Sequence, residues 1–347
     1  MKKALLIFIL IFTIGLGTLW AKAKPKVIED TLGQSKIMID EPEKWNGKVL
    51  ILVHGMRIEN SPLTADFNAE ILPYKQLLKE GWIIASTSYR RNGYIVDDAI
   101  LDVDDLREYV IKTYGQPKQM FLFGWSMGGI IITKMAETHA DKYDGALAVG
   151  AAIGVLEPNV KFNPQMPVLY LTNQSETTGP RSYVDNAVNA TVRPAFWLIK
   201  RDGHCITNGE EELAALKALI AYKNTGKIAF YKDGTITTRP PASVARFKRG
   251  KAFAKVKKRG NINTEFVAAD LKRLGIKKGD KFQVSFGDKT ATVFLGTTYS
   301  DVSSGEWIGF IESEGFLKIA RNWEDAAGTL GCKEEDDLCI YPLSVKP

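Results

Sequence analysis

The chain has 347 residues, 45% of them hydrophobic and 25% charged, and a formal net charge of +6. This is the composition of an ordinary globular protein with room for one or two domains, which excludes fibrous and low-complexity chains. Its three cysteines and three histidines show no metal-binding spacing and define neither a disulfide scaffold nor a metal centre. We therefore expect no metal and no cofactor.

The first residues predict an export signal. Lys2 and Lys3 precede an apolar run over residues 4–20, and an Ala-Lys-Ala sequence at 21–23 places small side chains before a cleavage point. These three parts are typical of a secretory signal peptide, assigned to residues 1–23. The length of the apolar run leaves open an uncleaved membrane anchor. In both interpretations the rest of the chain is exported, and we expect a secreted or periplasmic protein.

Apolar segments then alternate with amphipathic ones. Strands are predicted at 48–53, 82–87, 120–123, 146–152, 166–171 and 196–199, and helices at 72–80, 97–112, 130–136 and 210–222. Continuous apolar runs of this length are typical of parallel strands that are covered on both faces. The order predicts an α/β domain over residues 24–230, with a mostly parallel sheet and helices on both sides.

A Gly-x-Ser-x-Gly sequence, Gly124 to Gly128, joins one predicted strand to the next predicted helix. Glycines on both sides of Ser126 allow a sharp, strained turn between the two elements. Such a turn lifts the serine hydroxyl above the sheet and directs the Met127 backbone N–H toward an oxyanion. Ser126 is therefore the candidate nucleophile of acyl transfer.

Two further loops suit the same chemistry. The strand at 48–53 runs into His54-Gly55-Met56, where the Met56 backbone N–H is the candidate second oxyanion donor. His204 follows the last predicted strand of the domain and is the candidate base.

The order of Ser126, an acidic loop and His204 resembles the α/β-hydrolase superfamily, over about residues 26–223. Short segments at 45–48, 85–90 and 143–147 are similar to secreted esterases of that superfamily. The resemblance implies an α/β-hydrolase fold and a serine esterase that works through an acyl-enzyme.

The third member of the expected triad is an acid that holds the histidine in one tautomer. In the superfamily it follows the penultimate strand, where this chain has Glu176 and the family most often has aspartate. Glu157 and Asp185 are left open as rivals. The segment between the strand at 146–152 and the acid loop is too short for a large helical cap over the site. We therefore expect an open site that accepts bulky or polymer-linked esters.

The pattern changes after about residue 230. Residues 231–245 contain Thr-Thr-Arg-Pro-Pro and predict an extended linker. Alternating segments at 281–286 and 291–295, separated by Gly-Asp turns, predict a smaller, mainly β domain over residues 246–347.

This second part also carries a family resemblance. Segments at 260–265, 274–280, 298–302 and 313–322 resemble the C-terminal β domain of S-adenosylmethionine hydroxide adenosyltransferases. In that family the domain closes over the adenosyl group with an asparagine, where this chain has Glu265. We expect a structural, oligomerising or substrate-docking module instead of an adenosyl site.

A basic run, Arg246 to Arg259, raises the question of nucleic acid. Its aromatic interleaving is thin and the protein is expected to be exported, so we expect no nucleic-acid partner. The leading hypothesis is a secreted serine esterase. The alternatives are a hydrolase-fold binding protein with a silent triad, and an adenosyl-binding module.

Overall fold

The structure is a computed structural model that describes residues 26–154, 159–258 and 261–345, with the backbone alone described for Lys26 and Lys258. The predicted signal peptide at 1–23 and the rival acid Glu157 lie outside these residues. Among the helices described, none has the length and apolar character needed to cross a membrane.

A nine-stranded sheet forms the first part of the molecule, in the order β1-β2-β4-β3-β5-β6-β7-β8-β9. The β1–β2 and β2–β4 pairs are antiparallel, and every other neighbouring pair is parallel. The strands are β1 (Lys26–Leu32), β2 (Ser35–Glu41), β3 (Lys48–Val53), β4 (Ile83–Thr87), β5 (Gln119–Trp125), β6 (Gly145–Val149), β7 (Val168–Asn173), β8 (Ala195–Ile199) and β9 (Tyr231–Asp233).

In the described part of this domain, five helices cover the sheet on its two faces, which explains why its strands are apolar at successive positions. In β3, Val49 and Ile51 contact the core under α2 and α3, whereas Leu50 and Leu52 contact the core under α1 and α5. Both sets are buried because a parallel sheet of this kind has no solvent face. The helices are α1 (Tyr74–Lys79), α2 (Val96–Tyr114), α3 (Met127–Thr138), α4 (Thr178–Asn186) and α5 (Gly209–Thr225).

The second part is a closed barrel. Its sheet runs β10-β11-β12-β16-β15-β14-β13-β17, and β17 pairs back onto β11, so that seven strands form a ring with β10 attached outside it. Closure removes the free edges that would otherwise pair with other chains. The elements are β10 (Arg246–Lys248), β11 (Lys251–Lys258), β12 (Ile262–Val267), α6 (Ala268–Arg273), β13 (Lys281–Phe286), β14 (Lys289–Leu295), β15 (Trp307–Ile311), β16 (Phe316–Arg321), α7 (Ala326–Leu330) and β17 (Asp337–Pro342).

The predicted fold class is confirmed: an α/β-hydrolase sheet is followed by a smaller β barrel. One detail differs from the sequence interpretation: Tyr231–Asp233 pairs with β8 as the last strand of the sheet, although these residues were expected in the linker. Cys339 carries a free thiol.

Candidate active site

Ser126 lies at the turn between β5 and α3, with φ 56° and ψ −119°. A non-glycine residue rarely adopts this backbone conformation, which therefore stores strain. The neighbouring glycines are required by contact: a Cβ on Gly124 would lie 2.5 Å from the Gly128 oxygen, and one on Gly128 would lie 1.9 Å from the Val53 oxygen. The turn holds its shape because α3 approaches β3 and β5 more closely than any side chain would allow.

His204 connects Ser126 and Glu176, which lie far apart in the sequence. Its Nε2 is 2.8 Å from the Ser126 Oγ, and its Nδ1 is hydrogen-bonded to the Glu176 Oε2. Because the carboxylate accepts from Nδ1, Nε2 is left to accept the proton of the serine hydroxyl. The structure thus brings the three sequence-predicted side chains into one hydrogen-bonded chain.

The Glu176 carboxylate is itself held by backbone amides. Its Oε1 accepts from Cys205 N at 3.1 Å and from Asn173 N at 3.4 Å. Glu176 ends a single turn of 3₁₀ helix at Gln174–Glu176, directly after β7. The acid therefore reaches the histidine from a short turn at the carboxyl end of a sheet strand. Hydrogen bonds to both carboxylate oxygens hold the Glu176 side chain in one conformation.

Asn173 joins the acid loop to the histidine loop. It is completely buried, its Nδ2 donates to the carbonyls of Arg201 and Ile206, and its Oδ1 accepts from Ile206 N at 2.8 Å. Ser175 adds a second connection, because its Oγ exchanges hydrogen bonds with the backbone N–H and carbonyl of Gly203. These bonds on both sides of His204 fix its loop relative to Glu176.

Charges near His204 favour its protonated form. The Cys205 sulfur in its ionised form, and the Glu176 carboxylate, raise the pKa of His204 against the opposing effect of burial. Burial also raises the pKa of the Cys205 thiol, so that thiol is uncharged at neutral pH and the carboxylate is the charge that stabilises the imidazolium there. The arrangement suits a base that accepts a proton during a reaction and then returns it.

The loop after β3 lies beside Ser126. A Cβ on Gly55 would be 3.1 Å from the Ser126 Cβ. The His54 Nδ1 donates to the Gly55 carbonyl at 2.6 Å, and the His54 ring stacks on Tyr89 with centroids 3.9 Å apart. Since a trans peptide is planar, holding the Gly55 carbonyl toward His54 turns the Met56 N–H to the opposite side.

His54 remains neutral in this position. Burial, followed by the charge of Arg57, lowers the pKa of His54 to about 4, and its Nε2 is buried without a hydrogen-bond partner. In the part of the chain that the structure describes, the backbone N–H groups of Met56 and Met127 have no hydrogen-bond acceptor. Both amides are thus available to a ligand.

Two other carboxylates, the rival Asp185 and Asp202 of the histidine loop, are engaged elsewhere. Asp185 accepts from Arg181 and from the Tyr231 hydroxyl at the surface. Asp202, close to His204 in the sequence, accepts from Gln174 and pairs with Lys278 of the barrel. Neither carboxylate contacts the histidine ring.

One group of described residues has the spacing of a metal site. Ligand atoms of Glu176, His204 and Cys205 lie within 4.8 Å of one another. The histidine nitrogens already face Ser126 and Glu176, and the Cys205 Sγ is 3.7 Å from one and 3.9 Å from the other. Because one ring nitrogen donates to the Glu176 carboxylate and the other faces the Ser126 hydroxyl, the hydrogen-bonded chain accounts for this spacing without a metal.

The sequence interpretation missed several supporting residues. Glu212 is buried beneath the site, where its Oε1 accepts from the Thr207 hydroxyl at 2.7 Å and from the Trp125 indole N–H at 3.2 Å. It therefore links the residue before Ser126 to the loop after His204. The capping sequence at Asn208 was the available signal, since it fixes where α5 begins and places Glu212 in its first turn.

Family models match both parts of the chain. Residues 87–234 match the model described as serine aminopeptidase S33, and residues 258–339 match the C-terminal domain of S-adenosylmethionine hydroxide adenosyltransferase. The two resemblances drawn from the sequence are therefore confirmed. Among curated proteins, an o-phthalyl amidase of Xanthobacter agilis is 28% identical over 127 residues, which are 36% of this chain and 26% of that protein. The chain thus matches about a quarter of that relative's length.

Solved structures with similar folds include hydrolases of several kinds. An acylaminoacyl peptidase of Pyrococcus horikoshii is 13% identical, with a TM-score of 0.42, and the match covers 52% of this chain and 37% of the peptidase. An esterase of Pyrococcus furiosus is 15% identical, also with a TM-score of 0.42, and the match covers 58% of this chain and 91% of the esterase. The family match and the sheet topology together show that the first domain has an α/β-hydrolase fold.

Proposed function

We propose that the protein is an exported serine hydrolase that cleaves carboxylic esters through an acyl-enzyme. The single observation that supports this most strongly is the hydrogen-bonded chain from the Ser126 Oγ through His204 to Glu176. A strained serine turn, a tautomer fixed by a carboxylate and available amides next to the hydroxyl are the parts that acyl transfer requires.

In the proposed reaction the Ser126 Oγ attacks the ester carbonyl while the His204 Nε2 takes its proton. The N–H groups of Met56 and Met127 hold the oxyanion of the tetrahedral intermediate. His204 then protonates the leaving alcohol, which departs and leaves an acyl-serine. A water molecule attacks that ester with His204 again as base, and the acid product and free Ser126 are released.

Amide cleavage is the second candidate, because the curated relative is described as an amidase. The same serine, histidine and oxyanion donors would act in both reactions. The difference lies in the leaving group, since an amine must be protonated as it departs, whereas an alcohol is a better leaving group. Matched ester and amide substrates with one common acyl group separate the two candidates.

The site is proposed to be open enough for bulky or polymer-linked esters. Between β6 and β7, the described residues 151–154 and 159–167 contain no helix that would act as a cap. Export would bring the enzyme to such substrates, and the signal at residues 1–23 supports that part of the proposal. A strong preference for long-chain lipid esters over acetyl or aromatic esters of polymers would contradict it.

A fluorophosphonate probe tests the central proposal. It should label the mature protein on Ser126, and labelling should disappear in Ser126→Ala and His204→Ala. Turnover of a short soluble ester should fall in parallel, by about 10⁴-fold or more. A folded wild-type protein that neither labels nor hydrolyses any ester would support the alternative of a silent hydrolase-fold binding protein.

The adenosyl-binding alternative has its own measurement. Calorimetry with adenosine and with S-adenosylmethionine should give no binding to the full-length protein. Saturable binding of either compound would instead favour a ligand site in the barrel.

A further inference from the structure

The barrel contacts the loop that carries His204. Ile206 is 8% exposed and packs into a cluster with Ile308, Phe310 and Ala320 of the barrel. These three side chains lie on the outer face of β15 and β16. The opposite face of the same strands, which includes Gly309 and Ile319, contacts the interior of the barrel. An apolar patch on the outside of the barrel is thus covered by the hydrolase domain.

Two more contacts flank this cluster. A Cβ on Gly203 would lie 3.3 Å from the Thr297 oxygen, and Lys278 pairs with Asp202 at 3.7 Å. The barrel therefore contacts the histidine loop on both sides of His204.

The loop needs such support because of its backbone. Gly203 has φ 130° and Cys205 has φ 57°, so a residue in the left-handed region lies on each side of His204. A non-glycine residue in that region persists only when the surrounding structure holds it. Asn173 binds the Ile206 backbone from the hydrolase side, and the barrel holds the Ile206 side chain from the other.

From these contacts we propose that the barrel is a built-in positioning module for the catalytic base. In this role Ile206 is the connecting residue, and its pocket on β15 and β16 sets the height and orientation of the His204 ring relative to Ser126. The proposal rests on the function proposed above and assigns the barrel a part in it: positioning the base, without contact to the reacting atoms. This role accounts for the apolar stripe of Ile308, Phe310 and Ala320 on the outside of the barrel.

The test compares truncations of the pocket with a truncation of the barrel interior. Ile308→Ala removes a fully buried isoleucine from the pocket, and Ile319→Ala removes a fully buried isoleucine from the opposite face. Ile206→Ala removes the side chain that enters the pocket, and Ile206→Leu is the conservative rescue. If either barrel variant fails to fold, Ile308→Val and Ile319→Val replace the pair, since a smaller truncation costs less stability.

Turnover of a short ester is measured below the melting temperature of every variant. Ile206→Ala and Ile308→Ala should lower kcat about 10- to 100-fold with little change in KM, because a displaced base misses its near-attack geometry. Ile206→Leu should recover most of kcat, and Ile319→Ala should retain wild-type kcat despite its lower stability. Wild-type kcat in both pocket variants, or an equal loss in Ile319→Ala, would overturn the proposal.

A second measurement does not depend on turnover. The proton between the His204 Nδ1 and Glu176 gives a downfield NMR signal, assigned by its loss in His204→Ala. That signal should broaden or vanish in Ile206→Ala and Ile308→Ala and persist in Ile319→Ala. If the wild-type protein shows no esterase activity, this signal still decides whether the barrel positions His204; an unchanged signal in the pocket variants would refute the inference.

Discussion

Two strands, β5 of the sheet and β15 of the barrel, are apolar at nearly every position, but for different reasons. In β5, Phe121 and Leu122 face two cores that helices of the same domain complete. In β15, Phe310 faces the other domain, while its neighbour Gly309 faces the barrel interior. Other barrel strands, such as β13, alternate between buried and more exposed residues.

A continuous apolar strand has two different structural causes in this molecule. Within an α/β sheet it indicates ordinary double coverage by helices. Within a barrel, whose interior takes only alternate residues, it indicates that a second body covers the outside. Single substitutions can test the sheet region, the barrel region and the contact between them.

Gly128 makes the closest backbone approach of the sheet region, and we expect that no side chain fits at this position. Gly128→Ala places a methyl group 1.9 Å from the Val53 oxygen, so the serine turn must deform and both stability and esterase activity should be lost. Gly275→Ala in the barrel is the matched control, because its Cβ meets nothing within 4 Å although φ is 74°. In that variant backbone strain should lower the free energy of unfolding by only about 1 kcal/mol. Thermal unfolding and ester turnover are measured for both variants. A stable, active Gly128→Ala protein would show that the serine turn does not require this close approach.

Removing the charge of Glu176 should lower kcat by about 10³- to 10⁴-fold and leave a small residual activity. Because the carboxylate helps to raise the pKa of His204, its loss lowers that pKa, and the neutral base is then present at lower pH. The rise of kcat/KM with pH should therefore move to lower pH in Glu176→Gln.

Asp185→Asn is the control for that variant, since its carboxylate contacts Arg181 and Tyr231 instead. It should keep wild-type kcat and an unshifted pH profile. Full activity in Glu176→Gln, together with a loss in Glu157→Gln, would transfer the role of the acid to Glu157.

Substitution of His54 should lower kcat by less than substitution of Glu176. His54→Phe keeps a ring against Tyr89 but removes the donor to the Gly55 carbonyl, so the Met56 N–H loses its fixed direction. We expect kcat to fall about 10-fold with little change in KM, less than the loss of a whole oxyanion donor. His54→Asn restores a donor near the Nδ1 position and should recover part of the loss. Equal kcat values in the two variants would show that the hydrogen bond has no role.

Glu212, which is buried beneath the site, should make the stability of the protein depend on pH. Burial, and to a lesser degree the charge of Glu314 in the barrel, raise the pKa of Glu212 from 4.5 to about 8. Between these two pH values the folded protein keeps a proton on Glu212 that the unfolded chain has released. The contribution of Glu212 to the free energy of unfolding is therefore complete below pH 4.5 and is lost as the pH rises to about 8. In that range the free energy of unfolding should fall by at most about 1.4 kcal/mol per pH unit.

Glu212→Gln mimics the protonated carboxyl and should remove this dependence. Urea unfolding of both proteins at several pH values between 5 and 9 isolates the contribution as a difference. The variant should gain stability relative to the wild-type protein as the pH rises. A constant difference across that range would mean that the Glu212 carboxyl does not titrate there.

The sequence predicted the sheet, the serine turn and the three hydrogen-bonded side chains because each leaves a local pattern. Ser126 is marked by its glycines, and His204 and Glu176 by their places after successive strands. The hairpin of β1 and β2 was missed, since its residues are mixed in polarity and its partner β4 lies far along the chain.

The supports of the site could not be predicted in this way. Asn173 looks like any polar residue after a strand, and only its burial between two loops gives it a role. Ile206 looks like any apolar loop residue until the barrel folds against it. Such roles depend on contacts between segments that are distant in sequence, which no local periodicity encodes.

The apolar stripe of Ile308, Phe310 and Ala320 has a practical consequence for anyone who separates the two halves of the protein. A barrel expressed alone would present this patch to water and, despite its closed ring, would be prone to self-association. Replacing the stripe with polar residues should keep such a fragment monodisperse. The same replacement in the intact protein would remove the partner of Ile206, so a soluble fragment and a working enzyme require opposite surfaces at this one place.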